Sequence, residues 1–115
     1  MALQSLGLVP VTTAGTKVRA TSTQSDPTAR LTVQSVQFQA RPANTGLIYI
    51  GTSALDKSTG AGVLAVIPAP ASATTGAFGS ATFSEALAPA GIDIADLYID
   101  STVNGDGVFI SATIQ

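Results

Sequence analysis

The segment "LYIDSTVNGDGVFISATIQ", residues 97–115, decides the fold of this chain. From residue 108 its side chains alternate: Val108, Ile110, Ala112 and Ile114 lie on one side, and Phe109, Ser111 and Thr113 on the other. Such alternation predicts a β-strand with one face in the core. The preceding pairs, Asn104-Gly105 and Asp106-Gly107, supply the positive φ angles of a tight turn. We therefore predict a turn followed by a final strand over residues 107–115.

The remainder of the chain also favours short strands. Pro and Gly interrupt every window that a helix would need, and the plentiful Thr, Val and Ile residues favour pleated backbone. We predict about eight strands, among them residues 6–13, 16–21, 30–40, 45–52, 63–67, 82–87 and 107–115. A single helical turn is predicted at residues 94–98, with loops at residues 22–29, 53–62 and 68–80 and a turn at residues 89–91.

Three local features refine these strands. Pro10 lacks an amide donor, which predicts that the first strand lies at a sheet edge. The apolar phase slips within residues 30–40, and a β-bulge near Gln34 or Ser35 would restore the core face. Residues 45–52 are apolar on both faces, which indicates either a central strand or a strand between the core and a neighbouring chain.

These patterns predict an all-β fold: one antiparallel β-sandwich or jelly-roll-like domain spanning residues 1–115. A chain of 115 residues is long enough to bury a core of its own. No internal repeat or domain boundary interrupts it. The low content of charged residues, 10%, together with 45% hydrophobic residues is the reverse of the pattern typical of disorder.

Composition argues against several classes of function. The chain has no Cys, His or Trp, so the usual zinc ligands and the usual general base of a catalytic triad are missing. The five Lys and Arg residues are scattered singly, which argues against a nucleic-acid partner. The longest apolar stretch, residues 63–71, is too short to span a membrane, and no secretory signal is evident. We predict a non-enzyme without catalytic or cofactor-binding residues, although Ser–Lys chemistry through Lys17 or Lys57 stays an alternative.

An oxygen-ligated calcium site is the one metal centre that the sequence could supply. Its candidate ligands are Asp93, Asp96, Asp100 and Asp106. The segment "DSTVNGDGVFIS" begins as an EF-hand loop does, but it lacks the third-position ligand and the terminal Glu. A structural role is favoured: Asp93 or Asp96 would cap the helical turn, and the others would belong to the hairpin. No metal ligand is therefore predicted.

Two tyrosines raise the alternative of sugar binding. Tyr49 and Tyr98 could stack on a sugar ring, but an aromatic content of 5% supplies a poor binding platform. Half-buried strand tyrosines with hydroxyls at the surface are the favoured interpretation. Glu85 is an isolated carboxylate and gives no glycosidase pair, and Arg41 is interpreted as a strand exit.

An ordered set of short motifs resembles a group of small virion proteins of tailed bacteriophages. The pattern N-x-G-x-[IVL]-Y-[IV]-G matches residues 44–51, and a P-x-G turn matches residues 89–91. The pattern [IL]-x-[ND]-[IL]-[YF]-[IV]-D then matches residues 94–100, and GDGV matches residues 105–108. The resemblance covers a little over half of the chain, from Asn44 to Ile110.

This resemblance implies a structural β-sandwich carried on a virion. We expect a cement or decoration protein, made in the host cytoplasm, that binds the major capsid protein on the outer capsid as a homotrimer and contacts neither nucleic acid nor membrane. The alternatives are a head-fibre, spike or tail-associated protein and, from another class, a carbohydrate-binding module. Residues 53–62 and 68–80 are the candidate contact loops, with solvated loops as the alternative.

Overall fold

The computed structural model describes residues 2–24, 32–68, 79–84 and 92–114 of the chain. These residues contain the strands β1 Ala2–Pro10, β2 Val18–Arg19, β3 Thr32–Val33, β4 Ser35–Ala40, β5 Ile48–Asp56, β6 Ala61–Ile67, β7 Ser80–Ser84, β8 Ile92–Asp93, β9 Tyr98–Ser101 and β10 Gly107–Ile114. A single 3-10 turn, Ile94–Asp96, precedes β9. The all-β prediction is confirmed, and the described residues alone contain more strands than the number predicted.

Two antiparallel sheets of four strands each form the two layers of the fold. The first sheet has the order β1-β10-β4-β7, the second has the order β2-β9-β5-β6, and β3 pairs with β8 in a small third sheet. Successive strands of the two large sheets alternate between them, except β5 and β6, which are neighbours in the second sheet; β3 comes between β2 and β4 in the chain, and β8 between β7 and β9. This order is that of a jelly roll, as the sequence predicted.

The alternation of β10 positions the core. Val108, Ile110 and Ala112 are buried, and they lie opposite buried residues of β4. Fully buried side chains from the second sheet, including Ile50 and Ile99, complete the same hydrophobic cluster. Phe38 of β4 also meets Phe83 of β7 edge to face, with ring centroids 5.9 Å apart. Phe83 thus packs against the core.

The strand edges follow the predictions in part. β1 lies at the edge of the first sheet and β5 lies inside the second sheet, as predicted. β1 nevertheless begins four residues earlier than predicted and ends at Pro10, and β2 contains only two residues. The predicted loop at residues 53–62 is wrong: β5 continues to Asp56 and β6 begins at Ala61, because the two strands pair again at that point.

The irregularity predicted near Gln34 is a strand break. β3 ends at Val33, the Gln34 amide donates to the Thr113 carbonyl at 2.8 Å, and β4 begins at Ser35. The chain changes pairing partner there, from β8 to β10. A regular strand could not bury both Val33 and Val36, so the break explains the phase slip. Predictions for residues 25–31, 69–78, 85–91 and 115, including Glu85 and the turn at residues 89–91, lie outside the described residues.

Candidate interaction surfaces

Two of the four candidate calcium ligands, Asp93 and Asp96, belong to the 3-10 turn, and the other two, Asp100 and Asp106, lie elsewhere in the chain. Asp93 caps the 3-10 turn, where its Oδ1 accepts the Ala95 amide at 3.1 Å, and this capping role is confirmed. Asp100 is 4% exposed, and its Oδ1 accepts the amides of Gly15 at 2.9 Å and Ser101 at 2.8 Å. Within the part of the chain that the structure describes, no group of three or more acidic, His or Cys side chains is placed to hold a metal ion.

Asp106 and Asn44 organise the turn before β10. The Asp106 carboxylate accepts the Gly46 amide at 2.8 Å and also the Thr45 amide. Asn44 forms two hydrogen bonds of 2.8 Å with one residue: its amide nitrogen donates to the Gly107 carbonyl, and its carbonyl accepts the Gly107 amide. Asn44 therefore acts as a strand partner for the first residue of β10.

The two glycines of this turn have different roles. Gly105 has a φ of +87°, as predicted for a tight turn. Gly107 does not have a positive φ, so that part of the prediction is wrong. A Cβ on Gly107 would lie 2.9 Å from the Val9 carbonyl oxygen. The position requires glycine because β1 approaches closely.

A polar cleft of about 410 Å³ opens beside β9. It is lined by Gly15, Lys17, Ala54, Leu55, Asp56, Lys57, Ser58 and Asp100. Lys57 Nζ donates to the Ser101 carbonyl and lies 4.0 Å from Asp100 Oδ1. The Ser101 hydroxyl donates to the Val103 carbonyl at 2.7 Å. Lys57 thus holds the β5–β6 turn against β9, a structural use of the side chain.

Asp56 lies at the rim of the cleft. Its Oδ1 accepts the Ser58 hydroxyl at 2.6 Å and the Ser58 amide at 3.0 Å. These two hydrogen bonds hold the pKa of the Asp56 carboxyl below its ordinary value of 3.8. The carboxylate is thereby stabilised as the local organiser of the β5–β6 turn.

The two tyrosines lie on the outer face of the second sheet. The Tyr98 ring contacts two cations: the Arg19 guanidinium carbon is 5.0 Å and Lys17 Nζ is 5.8 Å from its centroid. Tyr49 is half-buried on β5, paired with Val66 on one side and with Asp100 on the other. The two tyrosines therefore differ in environment: Tyr98 contacts two cations, and Tyr49 lies between Val66 and Asp100.

An apolar strip surrounds Tyr49. We define this strip as Leu47, Tyr49, Leu64 and Val66. Leu47 and Tyr49 alternate with buried Ile48 and Ile50 and so face outward. Leu64 is the extra residue of a β-bulge, and it is 51% exposed, while Val66 is 46% exposed. Leu47 is 37% exposed.

The outer face of the first sheet has a different character. Three outward residues from each of its four strands form it: Leu3, Ser5 and Leu8; Phe109, Ser111 and Thr113; Ser35, Gln37 and Gln39; and Ser80, Thr82 and Ser84. None of these side chains is charged. Hydroxyls and amides dominate the face, with exposed Leu3 and Phe109 toward the β1 side. We call it the neutral face.

Comparison with known proteins gives no relative from which a role could be transferred. No protein-family model, curated protein or solved structure matches the chain. Among the described residues, no helix has the length and apolar character needed to cross a membrane.

The sequence indicates part of the strip. Residues 45–52 are apolar on both faces, and their outward side chains include exposed Leu47 and half-buried Tyr49. The matching outward residues of β6 and the pairing of Tyr49 with Val66 could not be predicted, because they depend on strand register. The sequence also indicates part of the neutral face, because Gln, Ser and Thr occupy outward positions of β4 and β10.

Proposed function

We propose that this chain is a structural protein of a tailed-phage virion. In this proposal it is a cement or decoration protein that binds the major capsid protein on the outer surface of the shell as a homo-oligomer. It reinforces the shell by binding and catalyses no reaction. The apolar strip carries the proposal, because contiguous exposed apolar side chains mark sites where proteins bind one another.

The strip has the composition expected of a protein-binding surface. An aromatic residue, Tyr49, lies among aliphatic side chains, and the polar cleft lies to one side of them. Aromatic and aliphatic centres with polar rims are typical of specific interfaces. A net charge of −2 gives the chain little electrostatic attraction for nucleic acid, so a protein partner fits better.

Energetics favour several copies acting together. Fully burying a Leu or Val side chain contributes roughly 1.5–3 kcal/mol, so covering side chains already half-buried contributes on the order of a few kcal/mol in total. Association costs about 4–15 kcal/mol in lost rigid-body freedom. One copy would therefore bind weakly, whereas linked copies gain about 10²–10⁴-fold in avidity.

The fold supports the proposal by analogy only. Jelly rolls recur among viral capsid domains and among lectins, but a fold alone does not determine function. The carbohydrate-binding alternative has less support from the site, because the Tyr98 ring that a sugar would need contacts Arg19 and Lys17. Specific binding on a glycan array that Tyr49→Ala abolishes would favour that alternative.

The test is binding to shells assembled from the major capsid protein of the phage that encodes this chain. Leu64→Lys places a charge in the strip at an exposed position, so the fold should tolerate it. We expect about tenfold weaker co-sedimentation with the shells, or a greater loss. Ser111→Lys places the same charge on the neutral face and serves as the matched control.

Two outcomes would contradict the proposal. If the wild-type protein does not co-sediment with the shells, the capsid assignment is wrong. If a reconstruction of the particle shows density for this protein only on the tail, a tail-associated role is favoured. Binding lost in Ser111→Lys but kept in Leu64→Lys would retain the function and reject the strip as its site.

A further inference from the structure

Among the described strands, β7 has no partner on the side away from β4, and this edge is suited to pairing with a second copy of the chain. We propose that two copies join β7 to β7 in an antiparallel arrangement and extend the first sheet across the pair. This inference deepens the proposed function, since it rests on the homo-oligomer and names the contact between copies. It gives a two-fold pair as the unit of assembly, in place of a three-fold contact.

The other edges of the two large sheets carry features that block such pairing. β1 has a bulge between Ser5 and Gly7 and ends in Pro10. β2 has two residues, one of them Arg19. β6 has the bulge at Leu64 and is followed by Pro68. Bulges, prolines, charges and short length are the means by which proteins protect sheet edges.

β7 has none of these features between residues 80 and 84. It pairs with β4 without a register shift along its whole length, from Ser80 opposite Gln39 to Ser84 opposite Ser35. Its sequence, SATFS, contains neither charge nor proline. Among the described strands, β7 pairs only with β4 and so ends the first sheet on that side.

The hydrogen-bond phase shows which backbone groups point away from β4. The Ala40 amide donates to the Gly79 carbonyl at 2.8 Å, so this is a hydrogen-bonded pair of the antiparallel ladder. Because such pairs alternate, Ala81 and Phe83 direct their amides and carbonyls toward β4. Ser80, Thr82 and Ser84 therefore direct theirs toward the free edge.

The same residues are self-complementary about Thr82. In an antiparallel pair centred there, Thr82 meets Thr82 of the second copy and Ser80 meets Ser84. These three are the residues whose backbone groups face outward, so each opposed pair can exchange two hydrogen bonds, about six in all. Side chains match as well: Thr and Ser hydroxyls oppose one another on the outer face, and Ala81 opposes Phe83 on the inner face.

The pair would have eight strands in one sheet and a two-fold axis perpendicular to it. Both apolar strips then lie on the same side, so both copies can contact one surface at once. A contact limited to one short strand edge is much smaller than the roughly 800 Å² per partner of a standard interface. We therefore expect a weak pair in solution that strengthens when both strips are bound.

Sedimentation of the full-length chain tests the pairing. Wild-type protein measured from about 10 μM to about 1 mM, the range of weak contacts, should approach twice the 11.5 kDa mass of the chain. Thr82→Pro removes an amide that faces outward and is not used against β4, so the fold should survive while pairing weakens about tenfold or more. Ser111→Lys, on an interior strand of the same sheet, should pair as wild type does.

A second variant covers the case in which proline disturbs β7. Thr82→Lys keeps the amide but places two like charges against each other at the two-fold axis, so it should also prevent pairing. Circular dichroism and thermal melting of each variant verify the fold. A wild-type chain that stays monomeric at 1 mM, a mass of three chains, or pairing unchanged in Thr82→Lys would overturn the inference.

The shell-binding assay separates this inference from the proposed function. A Thr82→Pro chain that binds shells more weakly than wild type, while Leu64→Lys does not bind, supports both. If the wild-type protein pairs but does not bind shells, the proposed function is wrong and the pairing is supported. If the wild-type protein binds shells but does not pair, the pairing is wrong and the proposed function is supported.

Discussion

At the scale of single residues, Asn44 shows how one side chain substitutes for a strand. It is 5% exposed, and both the nitrogen and the oxygen of its side-chain amide form hydrogen bonds with the Gly107 backbone. Replacing it by Ala leaves the Gly107 amide without its partner, whereas the Gly107 carbonyl still accepts the Arg41 amide at 3.1 Å. An unsatisfied buried amide costs about 1–3 kcal/mol, so we expect Asn44→Ala to lower the free energy of unfolding by about 1–3 kcal/mol in urea denaturation.

The control for this variant is Asn104→Ala. Asn104 Oδ1 accepts the Ala14 amide at 2.8 Å, but the bond is exposed to solvent. Water can replace an exposed partner, so the loss should be below about 1 kcal/mol. Equal losses in the two variants would show that burial of the Asn44 bonds contributes little.

A pH dependence follows from Asp56. Its pKa is lower in the folded chain than its ordinary value of 3.8, so its charged form stabilises the fold. That stabilisation is fully present above pH 3.8 and is lost as the pH falls through the lower folded value. Wild type should therefore be more stable than Asp56→Asn at neutral pH, and the difference should shrink below pH 3.8.

The cause of the lowered pKa can be tested directly. Ser58→Ala removes the hydroxyl that donates to Asp56 at 2.6 Å. NMR titration of the Asp56 carboxyl in this variant should give a pKa closer to the ordinary value than in wild type. An unchanged titration curve would assign the shift to other groups.

At the scale of elements, Lys57 ties the β5–β6 turn to β9. Its side chain is 24% exposed, and the Asp100 side chain beside it is 5% exposed. Lys57→Met keeps most of the aliphatic stem but leaves the buried carboxylate without its cation. Because the pair is only partly buried, we expect a loss of about 1–3 kcal/mol in unfolding free energy.

A double-mutant cycle with Asp100→Asn measures this contact. The two losses should be less than additive, because Lys57 and Asp100 contact each other and removing either one removes the same interaction. Lys17→Met is the control, since Lys17 is exposed and lies over the Tyr98 ring. Full additivity would contradict coupling between the turn and β9.

The elements also show what sequence patterns can and cannot give. β10 was predictable because its alternation is regular. An irregularity near Gln34 was predictable because two valines fall out of phase, but the predicted β-bulge is wrong: the structure has a strand break there. The continuation of β5 to Asp56 was not predictable, since its exposed polar residues gain strand structure only by pairing with β6. The short β2 was overestimated for the same reason: its limits depend on β9 and not on its own residues.

At the scale of the whole molecule, Asp93, Asp100 and Asp106 stabilise different parts of the fold by accepting hydrogen bonds from backbone amides. Asp93 caps a turn, Asp100 binds amides of two segments, and Asp106 holds residues 45 and 46. We expect the melting temperature to be the same with calcium and with chelator. A rise of several degrees on adding calcium would reveal a metal site that the described residues do not show. Closely spaced aspartates indicate a candidate calcium site, but their spacing in the chain does not show whether backbone amides already occupy their oxygens.

The position of β10 has a consequence for synthesis. It lies between β1 and β4, so the first sheet lacks an interior strand until residue 114 has left the ribosome. Synthesis proceeds at about 5–20 residues per second, so roughly ten seconds pass between the synthesis of β1 and that of β10, its partner among the described strands. During that time the nascent chain exposes apolar strands. Chains translated from mRNA that is truncated before the β10 codons should therefore be insoluble. A ribosome-bound chaperone should improve the yield of the native protein.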